Sequence, residues 1–302
     1  MAIKQYIWMD GKFVEFEKAT VHVLIHSLHY GSGIFEGIRV YDTEKGPAIF
    51  RLGDHTKRFC NSARIMHMGL GYAKEQLDKA IIATVKKNGT RNGYIRPLAY
   101  YPVHMPGVSP LGSKVSVAIA SIELGAYYKD KSVGLKARVS SWQRINSSTL
   151  PSQAKVTGNY ANSVLALQEA RLGGFDETIL LSSSGHVAEG SGDNIFLVEN
   201  GSLVTPGKGS DILVGITRDS IIRIAKDMGI GVEERAVHRE ELYTCDELFV
   251  TGTAAEVSPV VSVDSRGIGN GRPGPVTKML SDKYLGIATG KDGKYGKWLT
   301  YI

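Results

Sequence analysis

Two segments of this chain hold residue types that could do chemistry together. In Ser152-Gln153-Ala154-Lys155-Val156-Thr157-Gly158-Asn159-Tyr160 a single lysine sits among small polar residues, just ahead of a predicted helix. In Ala188-Glu189-Gly190-Ser191-Gly192-Asp193-Asn194 a glutamate on a predicted strand runs into a Gly-rich turn. A deprotonated lysine can attack an aldehyde and form a Schiff base. A carboxylate can pair with a protonated ring nitrogen and keep that ring an electron sink. Neither residue is telling alone, because lysines and strand-edge carboxylates mostly face water. The glycines beside Glu189 point to close backbone approach.

Two further places suit an anion. The segment Gly215-Ile216-Thr217-Arg218 opens a predicted helix, whose first N–H groups and positive dipole end favour a phosphate. The turn Thr251-Gly252-Thr253-Ala254-Ala255 could fold into a nest of backbone N–H groups. Most capped helices bind no anion, so these gain weight only beside a fixed arginine. His22, His26 and His29 have a spacing that could hold zinc on a helix. The alternation of Val21, Val23 and Ile25 predicts a strand instead, and no carboxylate or cysteine completes a set, so no metal is expected. The sequence has no Gly-x-Ser-x-Gly elbow and no P-loop, which removes the usual support for serine hydrolase and P-loop nucleotide readings.

The elements that must position these residues follow from periodicity. Residues 6–16 read as a hairpin turning at Asp10-Gly11. Residues 21–25 read as a strand. Leu52, Phe59, Ala63 and Met66 fall on one helical stripe with Arg58 at its edge. A second helix starts near Lys74 and stops at Gly89. Residues 94–102 and 115–122 are strands. Residues 135–142, 177–181, 194–199 and 247–250 are strands of a second region. Helices follow at 159–171 and after Gly215, the latter capped by Thr217 and ended by Gly229. Strands, helices and strands in this order suit an α+β domain.

The 302 residues are enough for two domains. Apolar residues make 42% and charged residues 22%, which fits a globular rather than a disordered chain. The net charge of +6 is not gathered into a basic stripe, so no nucleic acid is expected as partner. Cys60 and Cys245 are too few for a disulfide framework, which fits a reducing, cytoplasmic setting. No apolar run is long enough to span a bilayer, none has the form of a signal peptide, and no membrane partner is expected.

Several motifs then occur in one order. They are His29-Tyr30-Gly31-x-x-Ile34-Phe35-Glu36-Gly37-Ile38-Arg39, Tyr94-Ile95-Arg96-Pro97, Ala154-Lys155-x-x-Gly158-Asn159-Tyr160, Glu189-Gly190-x-Gly192-x-Asn194, Gly215-Ile216-Thr217-Arg218 and Gly252-Thr253-Ala254-Ala255-Glu256. In these the chain resembles the branched-chain amino acid aminotransferases, pyridoxal phosphate enzymes of fold type IV, from about residue 6 to residue 298. The resemblance implies an α+β, two-domain fold like that of D-amino acid aminotransferase. Residues 1–122 would form a small α+β domain, 123–131 an interdomain loop, and 132–302 a large domain carrying the cofactor lysine. It also implies transfer of the amino group of L-leucine, L-isoleucine or L-valine to 2-oxoglutarate.

The resemblance assigns roles as well. Lys155 would be the catalytic residue that holds pyridoxal 5′-phosphate and moves the proton. Glu189 would face the ring nitrogen. Arg58, Ile216, Thr217 and Thr253 would grip the phosphate, Tyr160 the ring oxygen, and Leu213 would pack on the ring. Thr253, Ala254 and Tyr94 would take the substrate α-carboxylate. Tyr30, Phe35, Gly37, Arg96 and Tyr127 would form the side-chain pocket, with Val108 supplied by a neighbouring subunit. The assembly would be a homo-oligomer, a dimer at minimum and up to a hexamer. One departure stands out: Leu124 replaces an aromatic residue often found before Gly125-Ala126-Tyr127, which would widen the pocket. Two readings share the implied fold. They are a D-amino acid or (R)-amine transaminase and 4-amino-4-deoxychorismate lyase. A non-catalytic phospholigand binder is the alternative from another class.

Overall fold

The computed structural model describes residues 6–103, 107–125, 128 and 133–302. It divides into two compact units, each built around one sheet. The first unit comprises Met1–Gly125, Ala154–Asn159 and Ile287–Ile302, the second Ala126–Gln153 and Tyr160–Gly286. The sequence reading kept residues 132–302 together, whereas the segment with Lys155 and the C-terminal strand pack with the first unit. Ile34 bridges to Val156, and Leu299–Tyr301 pairs antiparallel with Ala48–Phe50.

In the first unit the expected hairpin forms from Tyr6–Met9 and Lys12–Glu15, with Met9 opposite Lys12 across a two-residue turn. Asp10 and Gly11 both take positive φ there, which suits an Asp-Gly pair and matches the twist of the strands. The strand Gly93–Tyr100 is central, lying between Ser116–Glu123 and Ile38–Tyr41. Ile34–Phe35 also pairs with it. Helices Leu52–Ile65 and Lys74–Asn88 pack on this sheet through Leu52, Phe59, Ala63, Leu77, Ile81 and Val85. Gly89 closes the second helix in the left-handed conformation, as its sequence position predicts.

One element differs from expectation. Residues 21–25 form no strand; they lead into the short helix His26–Tyr30. Val21, Val23 and Leu24 are exposed. Alternation marks a strand only where a neighbouring strand can satisfy its backbone, and none lies beside it among the described residues.

In the second unit the strands run in the order Val187–Gly190, Glu177–Leu181, Leu135–Gln143, Glu256–Val263, Glu247–Gly252, Asn194–Glu199, Ser202–Pro206, Val232–Arg235. Their inward residues form a core of Ala137, Ile179, Val187, Ile195, Leu197, Leu248 and Val260 among others. Helix Ile216–Asp227 begins after Gly215, whose extended backbone makes it the cap. Thr217 therefore lies inside the first turn rather than at the cap, because the chain has already turned helical one residue earlier. Among the described residues no helix is long and apolar enough to cross a membrane.

Candidate active site

In the first unit six of the expected residues gather: Phe35, Gly37, Arg58, Tyr94, Arg96 and Lys155. The amide of Lys155 donates to Ser62 Oγ at 3.0 Å, and the amide of Phe35 donates to the Lys155 carbonyl at 3.0 Å. These bonds fix the lysine backbone between helix Leu52–Ile65 and strand Ile34–Phe35. Lys155 Nζ stands 4.8 Å from the centre of the Phe35 ring. The Arg96 guanidinium lies over the same ring at 4.7 Å and over Tyr94 at 5.2 Å, and it donates to the Tyr94 hydroxyl at 3.3 Å. Gly37 is required beside Tyr94, since a Cβ there would collide with the tyrosine hydroxyl.

Burial, followed by the charge of Arg58, draws the Lys155 ammonium down to about 8; Glu36 and Tyr94 oppose the shift. A substantial neutral fraction at neutral to mildly basic pH is what a nucleophilic amine needs. Arg58 itself is anchored. Its Nε and Nη2 donate to Glu36 Oε1 and Oε2 at 2.6 and 2.9 Å. His55 Nδ1 lies 2.8 Å from Glu36 Oε2. Burial alone would raise the Glu36 carboxyl, but Arg58 and His55 overcome it and hold it well below the usual carboxylate range. Burial pushes His55 below its ordinary value, against the pull of Glu36. The charges of Arg58 and Arg96 both act on Lys155, against the single buried carboxylate of Glu36. The excess of positive charge suits anionic ligands.

Tyr30 is partly exposed, with its ring 4.6 Å from that of His26. His26 Nε2 also meets the Val108 carbonyl at 2.9 Å, which ties the exposed Val108 to the same helix. Tyr127 lies outside the described residues.

The second unit assembles its own set around Glu189, which is buried. Glu189 Oε2 accepts from Asn194 Nδ2 at 3.1 Å and from the Leu213 amide at 3.0 Å. Arg144 Nε lies 2.8 Å from Glu189 Oε1. Asn194 also donates to the Leu213 carbonyl at 2.9 Å, so it clamps the segment that enters helix Ile216–Asp227. At that helix start a Cβ on Gly215 would collide with Asn194 Oδ1. A Cβ on Gly252 would likewise collide with Asp193 Oδ1, which brings the turn with Thr253 and Ala254 against the Gly-rich turn after Glu189. Thr217 and the first-turn amides of that helix start are therefore held close to Asn194, and thereby to Glu189. Tyr160 opens helix Tyr160–Leu172 and is partly buried.

Four further residues emerge here. Glu36 stands within a quoted motif, yet its clamp on Arg58 is a folded contact. His55, Ser62 and Arg144 carry no local signal at all. Arg144 reaches Glu189 through sheet register: its amide donates to Leu181 at 2.8 Å, and Leu180 stands opposite Glu189.

Comparison with known proteins decides the family. The model for class IV amino-transferases matches residues 33–263. This chain belongs to the class IV aminotransferases. Its helices and mixed sheets are the α+β fold of that family. The branched-chain-amino-acid aminotransferase of Pseudomonas aeruginosa is 45% identical over 298 residues, covering 98% of this chain and 97% of that protein. A solved structure of a T.th. branched-chain amino acid aminotransferase with pyridoxamine 5′-phosphate superposes with a TM-score of 0.96. It is 48% identical and covers 100% of this chain and 99% of that one. The same enzyme complexed with N-(5′-phosphopyridoxyl)-L-glutamate gives a TM-score of 0.95 at 47% identity, with 100% and 99% covered. These relatives and solved structures are all named as branched-chain amino acid aminotransferases.

Proposed function

We propose that the protein is a pyridoxal phosphate-dependent aminotransferase that moves the amino group of L-leucine, L-isoleucine or L-valine to 2-oxoglutarate, giving the branched 2-oxo acids and L-glutamate. The observation that carries this reading is Lys155, buried, fixed through its backbone by Ser62 and Phe35, and held with its amine over the Phe35 ring under the charge of Arg58. In each unit the donors fit part of the cofactor: a nucleophilic amine and a fixed guanidinium in the first, a helix start beside a close-packed glycine and a buried carboxylate in the second. When bound, pyridoxal phosphate supplies an aldehyde to carry the amino group and a ring that spreads charge from the substrate Cα.

In this reading Lys155 Nζ would hold the cofactor through its aldehyde and, as general base, would take the proton from the substrate Cα. Glu189 keeps the ring nitrogen protonated. Arg58, the Ile216 and Thr217 amides and Thr253 bind the phosphate, Tyr160 holds the ring oxygen, and Leu213 packs on the ring. Tyr94 with Thr253 and Ala254 holds the α-carboxylate. Arg96, with the hydroxyls of Tyr30 and Tyr127, binds the second carboxylate of glutamate, while Phe35 and Gly37 leave an apolar wall for the branched chains. The phosphopyridoxyl-glutamate complex of the T.th. enzyme supports glutamate as the partner amino acid.

The working unit in this reading is a homodimer at least. Leu28 and Val108 are 64% and 76% exposed, with Val23, Leu24 and Leu111 also open to solvent. Exposed apolar residues gathered on one chain suit burial against a second copy. Leu28→Lys is expected to shift the sedimenting mass toward the monomer; an unchanged mass would count against this interface. The Leu124 side chain is smaller than an aromatic wall. Rates for leucine, phenylalanine and norvaline are therefore expected to be comparable, and a steep preference for the branched trio would reject the wider pocket.

The functional test is simple. The visible band of the cofactor-loaded protein is expected to fade on adding L-leucine and to return on adding 2-oxoglutarate. Fading with D-alanine alone would select the D-specific alternative, and pyruvate release from aminodeoxychorismate would select the lyase.

A further inference from the structure

We propose that Arg144 is a positioning residue for Glu189, anchoring the second oxygen of the carboxylate that meets the cofactor's ring nitrogen. The inference rests on the role given to Glu189 above. Glu189 Oε2 accepts from two donors, Asn194 Nδ2 and the Leu213 amide. Arg144 takes the other oxygen, at 2.8 Å from Oε1. Both side chains are closed to water, at 7% and 8% exposure, so no solvent substitutes for either. The Arg144 backbone is fixed just past the end of strand Leu135–Gln143, where its amide donates to the Leu181 carbonyl.

The Arg144 Nε contact lies at ion-pair distance without hydrogen-bond alignment. Charge rather than direction therefore dominates it, and a lysine should replace much of it. Arg144 also competes with the ring nitrogen for the Glu189 charge. Positioning outweighs competition here, because a buried carboxylate stripped of its cation loses both its orientation and its preference for the ionised form.

The test compares two phosphate-bearing ligands on the apoprotein. One is pyridoxal phosphate. The other is its 1-deaza analogue, which has carbon in place of the ring nitrogen. Arg144→Gln is expected to weaken pyridoxal phosphate by about tenfold or more, the scale of one charge-assisted contact, and to leave the analogue within roughly twofold. Arg144→Lys is expected to restore most of that selective loss, and it serves as the second variant if Arg144→Gln does not fold. Equal weakening of both ligands would mean a merely structural arginine and overturn the proposal. A selective gain for pyridoxal phosphate would mean that competition dominates, and would overturn it too. A lysine variant as defective as the glutamine one would contradict the charge argument. If the unaltered protein fails to prefer pyridoxal phosphate over the analogue, the Glu189 role itself falls, a result distinct from any failure of Arg144.

Discussion

Lys155 is drawn to about 8 by desolvation and by the Arg58 cation, from an ordinary value of 10.5. Between those two values the unfolded chain holds a proton that the folded chain has released. Folding stability therefore rises with pH across that window, and below about 8 the full cost of the buried charge is present. The apoprotein of Lys155→Met is thus expected to melt above the unaltered apoprotein at pH 7, with the gap closing toward pH 10. Calorimetry across that range checks it; an unaltered apoprotein that melts at least as high at pH 7 would contradict the desolvation. Glu36 gives the opposite case. It is fully buried, and Glu36→Gln leaves the Arg58 guanidinium without its counter-charge. The expected cost is about 3–5 kcal/mol in denaturant unfolding. Lys155 and Glu189 stand out as candidates because an isolated charge among glycines and small residues is a chemical anomaly in a linear string. Glu36, His55 and Arg144 do not, because what singles them out is a partner 22, 19 and 45 positions away.

Local periodicity served the elements well wherever an element decides its own fate. The hairpin at Asp10-Gly11 and the stop at Gly89 depend on positive φ at their own residues, so composition revealed them. Residues 21–25 misled, because a strand is a relation with a neighbour and the alternating pattern there has none among the described residues. The start of helix Ile216–Asp227 shows the same limit: Gly215, not Thr217, takes the cap. Its missing side chain matters for a reason outside the helix, namely the space filled by Asn194 Oδ1. Gly215→Ala is accordingly expected to displace Asn194, loosen its bonds to Glu189 and to the Leu213 carbonyl, and cost about 1–3 kcal/mol in stability. Cofactor affinity, measured by titration of the apoprotein, should fall with it. An alanine variant that binds pyridoxal phosphate unchanged would show that the helix start is not held through Asn194.

Each unit is built on its own sheet, and the chain crosses between units at Ala154 and again after Asn159. A reading along the sequence could not foresee that Lys155 packs with residues 93 positions earlier, at Ser62. Nor could it foresee that the C-terminal strand completes the first sheet. Membership of the class IV aminotransferases, by contrast, was legible from the order of short motifs, since each marks a backbone that must approach something closely. The account as a whole turns on which amine holds the cofactor. The purified protein should be loaded with pyridoxal phosphate, reduced with borohydride and mapped by peptide mass spectrometry. The phosphopyridoxyl group is predicted on Lys155 Nζ, with none retained by Lys155→Ala. Finding it on a different lysine, or on no lysine at all, would contradict the account.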